Sequence, residues 1–527
     1  MKKMTEKRTT LLVVMILTVV ITGVIINILL KTLETEAEDY KELQVFKEAL
    51  TIVQKSYVED IQSKELIHGA IKGMVGSLDA HSDAMTPEQY RKMQVDSKGV
   101  RISKLISTAE AEVDGYDELK VFKDALTVVK KNLEEDIQPK DLVYGAIQGM
   151  MMSLDPHSDF MTPEQYKEMQ VDTEGEFGGI GIKVETKDGM LTVFDILDDT
   201  PAFKAGIKEG DKIIKINNES TKDMRHEDAV SKMRGAPSTT VKVTVHREGW
   251  RESKDFTMRR ETITISSVKS KMLGDGIGYI KIHQFQRQTA SDFSSALSRL
   301  MQVNMKALIL DLRNNPGGLL YSAVDVTSQL IPSEKLVVYT KDRNGKKKEY
   351  INRKNHPHLT VPMVVLVNDG SASASEIVAG ALKDWNRATV IGTVTYGKGS
   401  VQTVVPLKDG SALTLTTAKY YTPKGISIQA TGILPDILVT PGITKGQPVR
   451  PVTREKDLEG HLANATMRQA NVSQETVAVI VDEETDVQLQ SAMKLLKSQI
   501  FRNPKLTSSQ HVWLKLCLNQ MPGGGNV

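Results

Sequence analysis

Several kinds of site are excluded by what this sequence lacks. Its 527 residues contain a single cysteine, Cys517, so no disulfide can form within the chain. No paired cysteines and histidines stand at the spacing of zinc ligands, and the sequence indicates no metal or other cofactor. The formal net charge is only +2, which gives no argument for nucleic acid or for an acidic partner.

What is present suits a chain of several folded domains. Hydrophobic residues make up 40% of the sequence, which is enough for real cores, and the length predicts roughly three or four domains. Near the start, residues 11–30 form an uncharged apolar run of 20 residues, which is long enough to cross a bilayer. Basic residues precede this run and acidic residues follow it, so the positive-inside rule puts residues 1–10 in the cytoplasm. We expect an uncleaved transmembrane anchor; a cleaved signal peptide is the alternative.

An internal repeat follows. Residues 40–99 recur as residues 116–175, shifted by 76 positions (116 − 40), and residues 100–115 link the two copies. Each copy has apolar residues at helical spacing, a turn containing Ser-Leu-Asp-x-His-Ser-Asp, and a capped helix start at Thr-Pro-Glu-Gln. We interpret the repeat as a tandem duplication of a helical cap. For the turn histidines, His81 and His157, a hydrogen-bonded structural role is favoured over metal binding.

From residue 176 the apolar period changes to two, and residues 176–265 read as strands around a short helix. The glycine spacings resemble those of a PDZ domain. The resemblance implies a carboxylate-binding loop whose backbone N–H groups hold the end of a peptide, and a following strand that pairs with it. The loop residues are Gly179, Ile180, Gly181 and Ile182. A generic small β domain is the alternative.

Residues 266–443 alternate strands with helices, which predicts a mixed α/β core with parallel pairing. Within them a valine-rich strand leads to a serine run on a strand-to-helix turn, and Lys398 follows between Gly397 and Gly399. A phosphate-binding loop is one interpretation of this lysine, but Gly399 has no hydroxyl and a strand follows. The other is a base paired with a serine.

Four motifs favour the second interpretation. They are DLRNNPGG, NDGSASASEI, TYGKGSVQ and GISIQATGILPDI. Together they resemble the carboxyl-terminal processing peptidases, or tail-specific proteases, over residues 116–443. The resemblance implies a core related to the crotonase and Clp-type folds. It also implies the site residues: Ser373 as nucleophile, Lys398 as base, Gln402 orienting the lysine, and an oxyanion hole from Ala374 with Gly317 or Gly318.

The expected function is that of a serine endopeptidase cleaving proteins near their C-termini after the PDZ domain captures the free carboxylate. Burial must lower the pKa of Lys398 for its neutral form to act. Two alternatives stay open. One is a Ser-His-Asp triad, and the other is a membrane-tethered PDZ scaffold with an inactive protease domain. The residues available to the triad are His283, His356, His358 and Asp311.

The expected fold class is therefore multidomain α+β. Its parts are the transmembrane helix, the duplicated helical cap, the PDZ β domain, the α/β protease core and a tail, residues 444–527, with an amphipathic helix at 486–501. Expected partners are peptides with free C-termini, the membrane, and a second copy in a homodimer or higher oligomer. We expect the catalytic part outside the plasma (inner) membrane, periplasmic in a Gram-negative bacterium. The resemblance also makes Arg234 a candidate link between peptide capture and catalysis.

Overall fold

The computed structural model describes residues 43–78, 116–132, 138–187, 189–264, 266–353, 358–444, 452–464, 479–481 and 486–502. The predicted cytoplasmic and transmembrane segments, the linker 100–115, His81 and Cys517 lie outside these ranges. Within them, no helix combines the length and the hydrophobicity needed to cross a membrane.

The cap contains two helices from each copy of the repeat. The first copy forms α1, residues 43–56, and α2, Ser63–Gly76; the second forms α3, Tyr116–Asn132, and α4, Pro139–Met152. The predicted helices are thus confirmed in both copies. Their apolar faces share one core, in which Phe46 stacks on Phe122 with 3.9 Å between ring centroids.

Helices α2 and α4 cross at backbone contact. A Cβ added to Gly73 would lie 2.3 Å from the carbonyl oxygen of Gly145, so only glycine fits there. A Cβ on Gly69 would meet Ser153, and a Cβ on Gly145 would meet Ser77, the equivalent pair after the 76-residue shift. The contact is therefore reciprocal. The two copies face each other as the halves of a self-complementary interface do.

The second copy leads from the cap into the rest of the chain. Its turn is followed by β1, Asp159–Met161, and α5, Pro163–Glu174. Thr162 caps α5 by accepting from the N–H of Gln165, and the side chain of Gln165 accepts from the N–H of Thr162. Proline follows at the first helical position, as predicted.

The predicted PDZ segment folds into an antiparallel sheet of order β3-β4-β5-β7-β8, with β6 beside β5. Strand β3 lies at the edge. A separate ribbon of β2, Glu176–Gly179, and β9, Glu261–Thr264, joins the two ends of the segment. The other elements are β3 Ile182–Lys187, β4 Met190–Ile196, α6 Pro201–Ala205, β5 Lys212–Ile216, β6 Glu219–Ser220, α7 His226–Met233, β7 Thr240–His246 and β8 Lys254–Arg259.

The main sheet of the core has the order β10-β11-β12-β15-β16-β19. In this sheet β11, β12, β15, β16 and β19 run parallel to one another, and the edge strand β10 is antiparallel to β11. This confirms the predicted α/β core. Helices α8, α9 and α10 pack against one face, and α11 covers the other. The elements are β10 Val268–Met272, β11 Ile277–Ile282, α8 Thr289–Gln302, β12 Ala307–Asp311, α9 Leu320–Ser328, β15 Met363–Val367, α10 Ala374–Asp384, β16 Thr389–Gly392, β19 Ile437–Leu438 and α11 Val487–Arg502.

A second sheet connects the cap to the core. It has the order β1-β18-β13-β14, and β17 also pairs with β18. Strand β1 of the cap therefore lies in the same sheet as the strand that follows Lys398. The elements are β13 Leu336–Lys341, β14 Lys347–Ile351, β17 Ser400–Pro406 and β18 Ala412–Tyr421; β20, Gly442–Thr444, pairs separately with β21, Val479–Val481.

Candidate active site

A strained turn holds the serine run between β15 and α10. Ser373, the residue before α10, has φ 50° and ψ −112°. A positive φ is costly for a residue with a Cβ and persists only where the surrounding contacts impose it. A strand-to-helix turn of this kind brings a serine hydroxyl close to the free N–H groups of the helix start.

The serines of the run have different partners. Ser371 Oγ donates to the carbonyl oxygen of Leu312 (2.8 Å), and Ser375 Oγ donates to that of Asn315 (2.9 Å). Both serines are fully buried, and their bonds fasten the turn to the loop after β12. Ser373 is only half-buried. Its hydroxyl is therefore the one that is not used to hold the turn.

The lysine lies in a tight loop between two glycines. Gly397 has φ 99°, and a Cβ on Gly399 would lie 2.2 Å from the backbone nitrogen of Gln429. The predicted close approach of the backbone at these glycines is confirmed. Burial lowers the pKa of Lys398, while the negative charges of neighbouring carboxylates raise it. A lysine whose pKa is lowered by burial is suited to accept a proton.

A buried carboxylate joins the serine turn to the lysine loop. Oε2 of Glu376 accepts from the N–H groups of Ser373 (2.8 Å) and Lys398 (2.9 Å). Oε1 accepts from the N–H of Gly397 (2.8 Å) and from the hydroxyl of Thr395. Burial raises the pKa of Glu376 to about 7, against the opposing effect of these bonds. We did not predict this residue, although Ser373-x-x-Glu376 has the spacing of a capping box.

Glu376 joins the backbones of Ser373 and Lys398, but no hydrogen bond joins the serine hydroxyl to the lysine amine in the described structure. Ser373 instead contacts Tyr420. Burial raises the pKa of Tyr420, and a side-chain hydrogen bond with Ser373 lowers it. Catalytic hydrogen bonds are often completed only when a substrate is bound, so this geometry is compatible with a nucleophile–base pair.

Gln402 lies on β17, next to the cap. Its amide donates to Ser400 Oγ (3.0 Å) and Thr416 Oγ1 (3.3 Å). Thr416 Oγ1 in turn donates to Oδ1 of Asp155 in the cap turn (3.1 Å). Among the described groups Gln402 makes no hydrogen bond to Lys398, so its predicted role in orienting the lysine stays a prediction.

Backbone N–H groups surround the space beside the serine. Gly317 and Gly318 have φ of 107° and 130°, and a Cβ on Gly317 would lie 2.9 Å from the Cβ of Ser373. The N–H of Gly317 donates to Oδ1 of Asn315 (2.9 Å). Ala374 begins α10, where an N–H has no partner within the helix. Within the described structure the N–H groups of Gly318 and Ala374 are free, whereas that of Gly317 is used.

The predicted carboxylate-binding loop leads into an open sheet edge. Gly179 ends β2 and Ile182 begins the edge strand β3. Between them Ile180 is buried, and Gly181 has φ 81° with no room for a Cβ beside Thr200. Among the described residues the N–H groups of Ile180 and Gly181 donate to no partner. Free N–H groups before an open edge strand suit the binding of a peptide end.

A segment of the tail returns to the site. Residues 452–464 contain Glu455, a fully buried residue whose Oε1 accepts from Nε2 of Gln429 (2.7 Å). Its Oε2 lies 2.7 Å from Nε2 of His157 in the cap turn, which confirms the hydrogen-bonded role expected for this histidine. The sequence suggested only a polar loop here, because the partners of Glu455 are distant along the chain. No group of side chains suited to a metal ion occurs in the described ranges.

Comparison with known proteins places these features in a family. The sequence model of peptidase family S41 matches residues 276–439, and that of the PDZ domain matches residues 168–246. The model of the activating protease CtpB N-terminal domain matches twice, at residues 26–89 and 83–165. A carboxy-terminal-processing protease of Bartonella bacilliformis is 40% identical over 402 residues, which are 75% of this chain and 91% of that protein. The chain belongs to the carboxy-terminal processing proteases of family S41.

This protease is therefore a serine-type peptidase with a PDZ domain. The carboxy-terminal processing protease CtpA of Bacillus subtilis is 38% identical over 335 residues, 63% of this chain and 70% of the relative. Among solved structures, the photosystem II D1 C-terminal processing protease aligns at 27% identity with a TM-score of 0.40. The alignment covers 76% of this chain and 93% of that one.

The two other interpretations of the protease site gain no support from its geometry. Strand β17 begins two residues after Lys398, where a phosphate-binding loop requires a helix. The carboxylate of Asp311 accepts from Tyr279 and Arg313 (2.7 and 2.6 Å) and pairs with no histidine of the described ranges. No described histidine forms a hydrogen bond with Ser373; of the histidines considered for a triad, His356 lies outside the described residues.

Proposed function

We propose that this chain is a serine endopeptidase in which Ser373 is the nucleophile and Lys398 the general base. The observation that carries the proposal is the position of Glu376. This one buried carboxylate binds the backbone of both residues and so fixes their two loops relative to each other. Such support from neighbouring groups is what a catalytic pair needs to hold its geometry.

The lysine must be uncharged to act as a base. Its ordinary pKa is about 10.4, and an ammonium group has no lone pair to accept a proton. Burial lowers the pKa of Lys398, which populates the neutral amine closer to neutral pH. The amine takes the proton of Ser373 as the oxygen attacks the peptide carbonyl, and then gives it to the leaving amine. Water releases the resulting acyl-enzyme.

The developing oxyanion would be bound by the N–H groups of Ala374 and Gly318. Gly318 is preferred over Gly317 because the N–H of Gly317 already donates to Asn315. One such donor typically contributes about 2.7–4 kcal/mol to transition-state stabilisation. Gln402 would turn its uncharged amide towards Lys398, which holds the amine without raising its pKa as a carboxylate would.

The PDZ domain would select the substrate end. The terminal carboxylate would be held by the N–H groups of residues 179–182, and the peptide would pair with β3, placing cleavage near the C-terminus. Arg234 lies after α7 with its guanidinium 4.6 Å from the ring centre of Phe177 on β2, and Gly235 N donates to the carbonyl oxygen of Gly178. We propose this contact as the link from peptide capture to the core.

The remaining expectations are proposals of the same kind. The core would be of the crotonase/Clp-related type. Residues 11–30 would anchor the protease in the plasma membrane, with its catalytic part outside the cytoplasm, as a homodimer or higher oligomer. The charges flanking the apolar run support this orientation. Membrane fractionation of the full chain and of a chain lacking residues 1–30 tests the anchor.

The nucleophile and base are tested by Ser373→Ala and Lys398→Ala. Each should lower casein cleavage by a factor on the order of 10³ or more, because the two groups act as one unit. Ser373→Ala should also abolish labelling by a fluorophosphonate, whereas Lys398→Ala should still bind peptides with free C-termini. Residual turnover in Lys398→Ala refutes the dyad.

Matched variants control for damage to the fold. Ser291→Ala removes an exposed serine of α8 and should keep fluorophosphonate labelling. Lys383→Ala removes an α10 lysine that pairs with Asp436 and should keep cleavage. A wild-type chain that binds C-terminal peptides but neither cleaves casein nor reacts with the probe supports the inactive scaffold instead.

A further inference from the structure

Glu455 lies outside the segment matched by the protease family. It is nevertheless connected by hydrogen bonds to the chain before and after Lys398. Its N–H donates to the carbonyl oxygen of Tyr396, two residues before the lysine (3.2 Å). Its carboxylate accepts from Nε2 of Gln429, and Oε1 of Gln429 accepts from the N–H of Gly399, directly after the lysine (2.9 Å). The lysine loop and the tail segment are therefore held as one unit.

The cap supplies the other partner of this carboxylate. His157 places Nε2 2.7 Å from Oε2 of Glu455, with side chains only 15% and 1% exposed. The turn that presents the histidine is itself fixed, because Oδ1 of Asp155 accepts from the N–H groups of His157 (2.9 Å) and Ser158 (3.1 Å). A part of the second repeat copy thus reaches the surroundings of the base.

Three carboxylates act on the charge of Lys398: those of Glu455, Asp155 and Glu376. Each favours the ammonium form, and therefore opposes the neutral amine that a general base requires. Glu376 is bound by three N–H groups and a hydroxyl, and Asp155 by hydroxyl and N–H groups. Among the described residues, Glu455 is the one of the three carboxylates that is paired with a histidine.

We propose that His157 and Glu455 form a positioning pair that sets the charge of the catalytic lysine. Through its hydrogen bond, His157 holds the carboxylate of Glu455 and weakens the effect of that charge on Lys398, which otherwise favours the ammonium form. The inference rests on the proposed role of Lys398 as the base. It makes the docked cap a condition for full activity, because the histidine belongs to the cap and the carboxylate to the tail.

The pH dependence of kcat/KM in the full-length protein tests the pair. Activity should rise with pH as Lys398 loses its proton. His157→Phe removes the partner of Glu455 and should move this rise to higher pH, by about one pH unit or more. Glu455→Gln removes the negative charge and should move it to lower pH. In the Glu455→Gln background, His157→Phe should cause no further movement, since no charge is left to compensate.

The repeat provides a matched control. His81 is the equivalent residue in the sequence of the first copy, so His81→Phe makes the same substitution at the other repeat histidine and should leave the pH profile as in the wild type. Glu59→Gln breaks a different ion pair between the cap and the core, the one with Lys419, and should also leave the pH profile unchanged.

Each outcome of these measurements either supports or overturns the proposed His157–Glu455 pair. If His157→Phe does not fold, Glu455→Gln alone carries the test. A uniform loss of activity without movement of the profile shows a purely structural role and overturns the inference, as does an unmoved profile in Glu455→Gln. These results leave the dyad intact, whereas turnover by Lys398→Ala refutes the dyad itself.

Discussion

At the scale of single residues, Glu376 links protonation to the shape of the site. Its carboxylate accepts hydrogen bonds from both the serine turn and the lysine loop. A protonated carboxyl group becomes a donor at one oxygen, so it can no longer accept all of them. Burial raises its pKa from 4.5 to about 7. The folded protein therefore keeps this proton over a pH range in which the unfolded chain has released it.

The sign of the resulting pH dependence follows from linkage. The stabilising contribution of a group with a raised pKa is complete below its unfolded pKa, about 4.5 here, and is lost as pH rises through about 7. The free energy of unfolding of the wild type should therefore fall relative to that of Glu376→Gln over this range. The expected change is about 3 kcal/mol, measured by urea unfolding of both proteins between about pH 4.5 and pH 8.

Comparison with a surface carboxylate separates this effect from general charge effects. Glu349 pairs with Lys347 and its side chain is 44% exposed. The difference between wild type and Glu349→Gln should change far less, because an exposed ion pair contributes little to stability. A flat difference for Glu376→Gln would contradict the raised pKa.

The serine run and Lys398 could be located from the sequence because their settings are local, whereas the choice of Ser373 within the run came from the family resemblance. A strand ending in a serine run and a lysine between two glycines are visible within a few residues each. Glu376 stands at the capping-box spacing from Ser373, but its bonds to the lysine loop span 21 and 22 positions and have no local signal. Glu455 forms a hydrogen bond with His157, which is 298 positions away in the sequence. A glutamate in a polar stretch gives no sequence signal that its carboxylate will be buried against so distant a partner.

At the scale of elements, the closest packing in the cap depends on a glycine. A Cβ at Gly73 would lie 2.3 Å from the backbone oxygen of Gly145, whereas a Cβ at Gly76, at the end of the same helix, would meet nothing within 4 Å. Gly73→Ala should therefore destabilise the cap by about 1–3 kcal/mol through overpacking. Gly76→Ala should be neutral or stabilising by up to about 1 kcal/mol, because alanine favours the helix.

Hydrogen exchange of the amides in α2 and α4 measures both variants in the full-length protein. Faster exchange is expected in both helices for Gly73→Ala and not for Gly76→Ala. Equal behaviour of the two variants would mean that the helices do not touch at Gly73.

The existence of most elements could be predicted from periodicity, but their partners could not. The predicted helix at residues 486–501 is confirmed as α11, Val487–Arg502. Its apolar stripe did not reveal that it covers the face of the main sheet opposite α8, α9 and α10. The pairing of β1 with β18 was likewise not predicted, since a three-residue strand is too short for its period to be read.

At the scale of the whole molecule, the two repeat copies of one chain pack against each other with the symmetry of a dimer interface. Phe46 and Phe122 are equivalent positions of the two copies and stack on each other. Gly69 faces Ser153 as Gly145 faces Ser77. Contacts between equivalent residues are the mark of an isologous interface, which normally relates two subunits by a twofold axis.

A disulfide can show whether both halves of this contact come from the same chain. A Cβ at Gly69 would lie 2.9 Å from the Cβ of Ser153, somewhat closer than the roughly 3.5–4.5 Å typical of disulfides, so a small separation of the helices permits the bond. Gly69→Cys with Ser153→Cys, in a Cys517→Ser background, should oxidise to a cross-linked monomer on non-reducing gels.

Mixing the two single-cysteine chains provides the control, because neither can form the bond internally. If the first copy of each chain packs on its own second copy, the mixture should give no cross-linked dimer joining the two kinds of chain. A strong cross-linked dimer from the mixture would mean that the copies exchange between subunits. In that case the cap contact would hold two protease chains together, and the His157 that faces Glu455 would sit in a cap shared with a second chain.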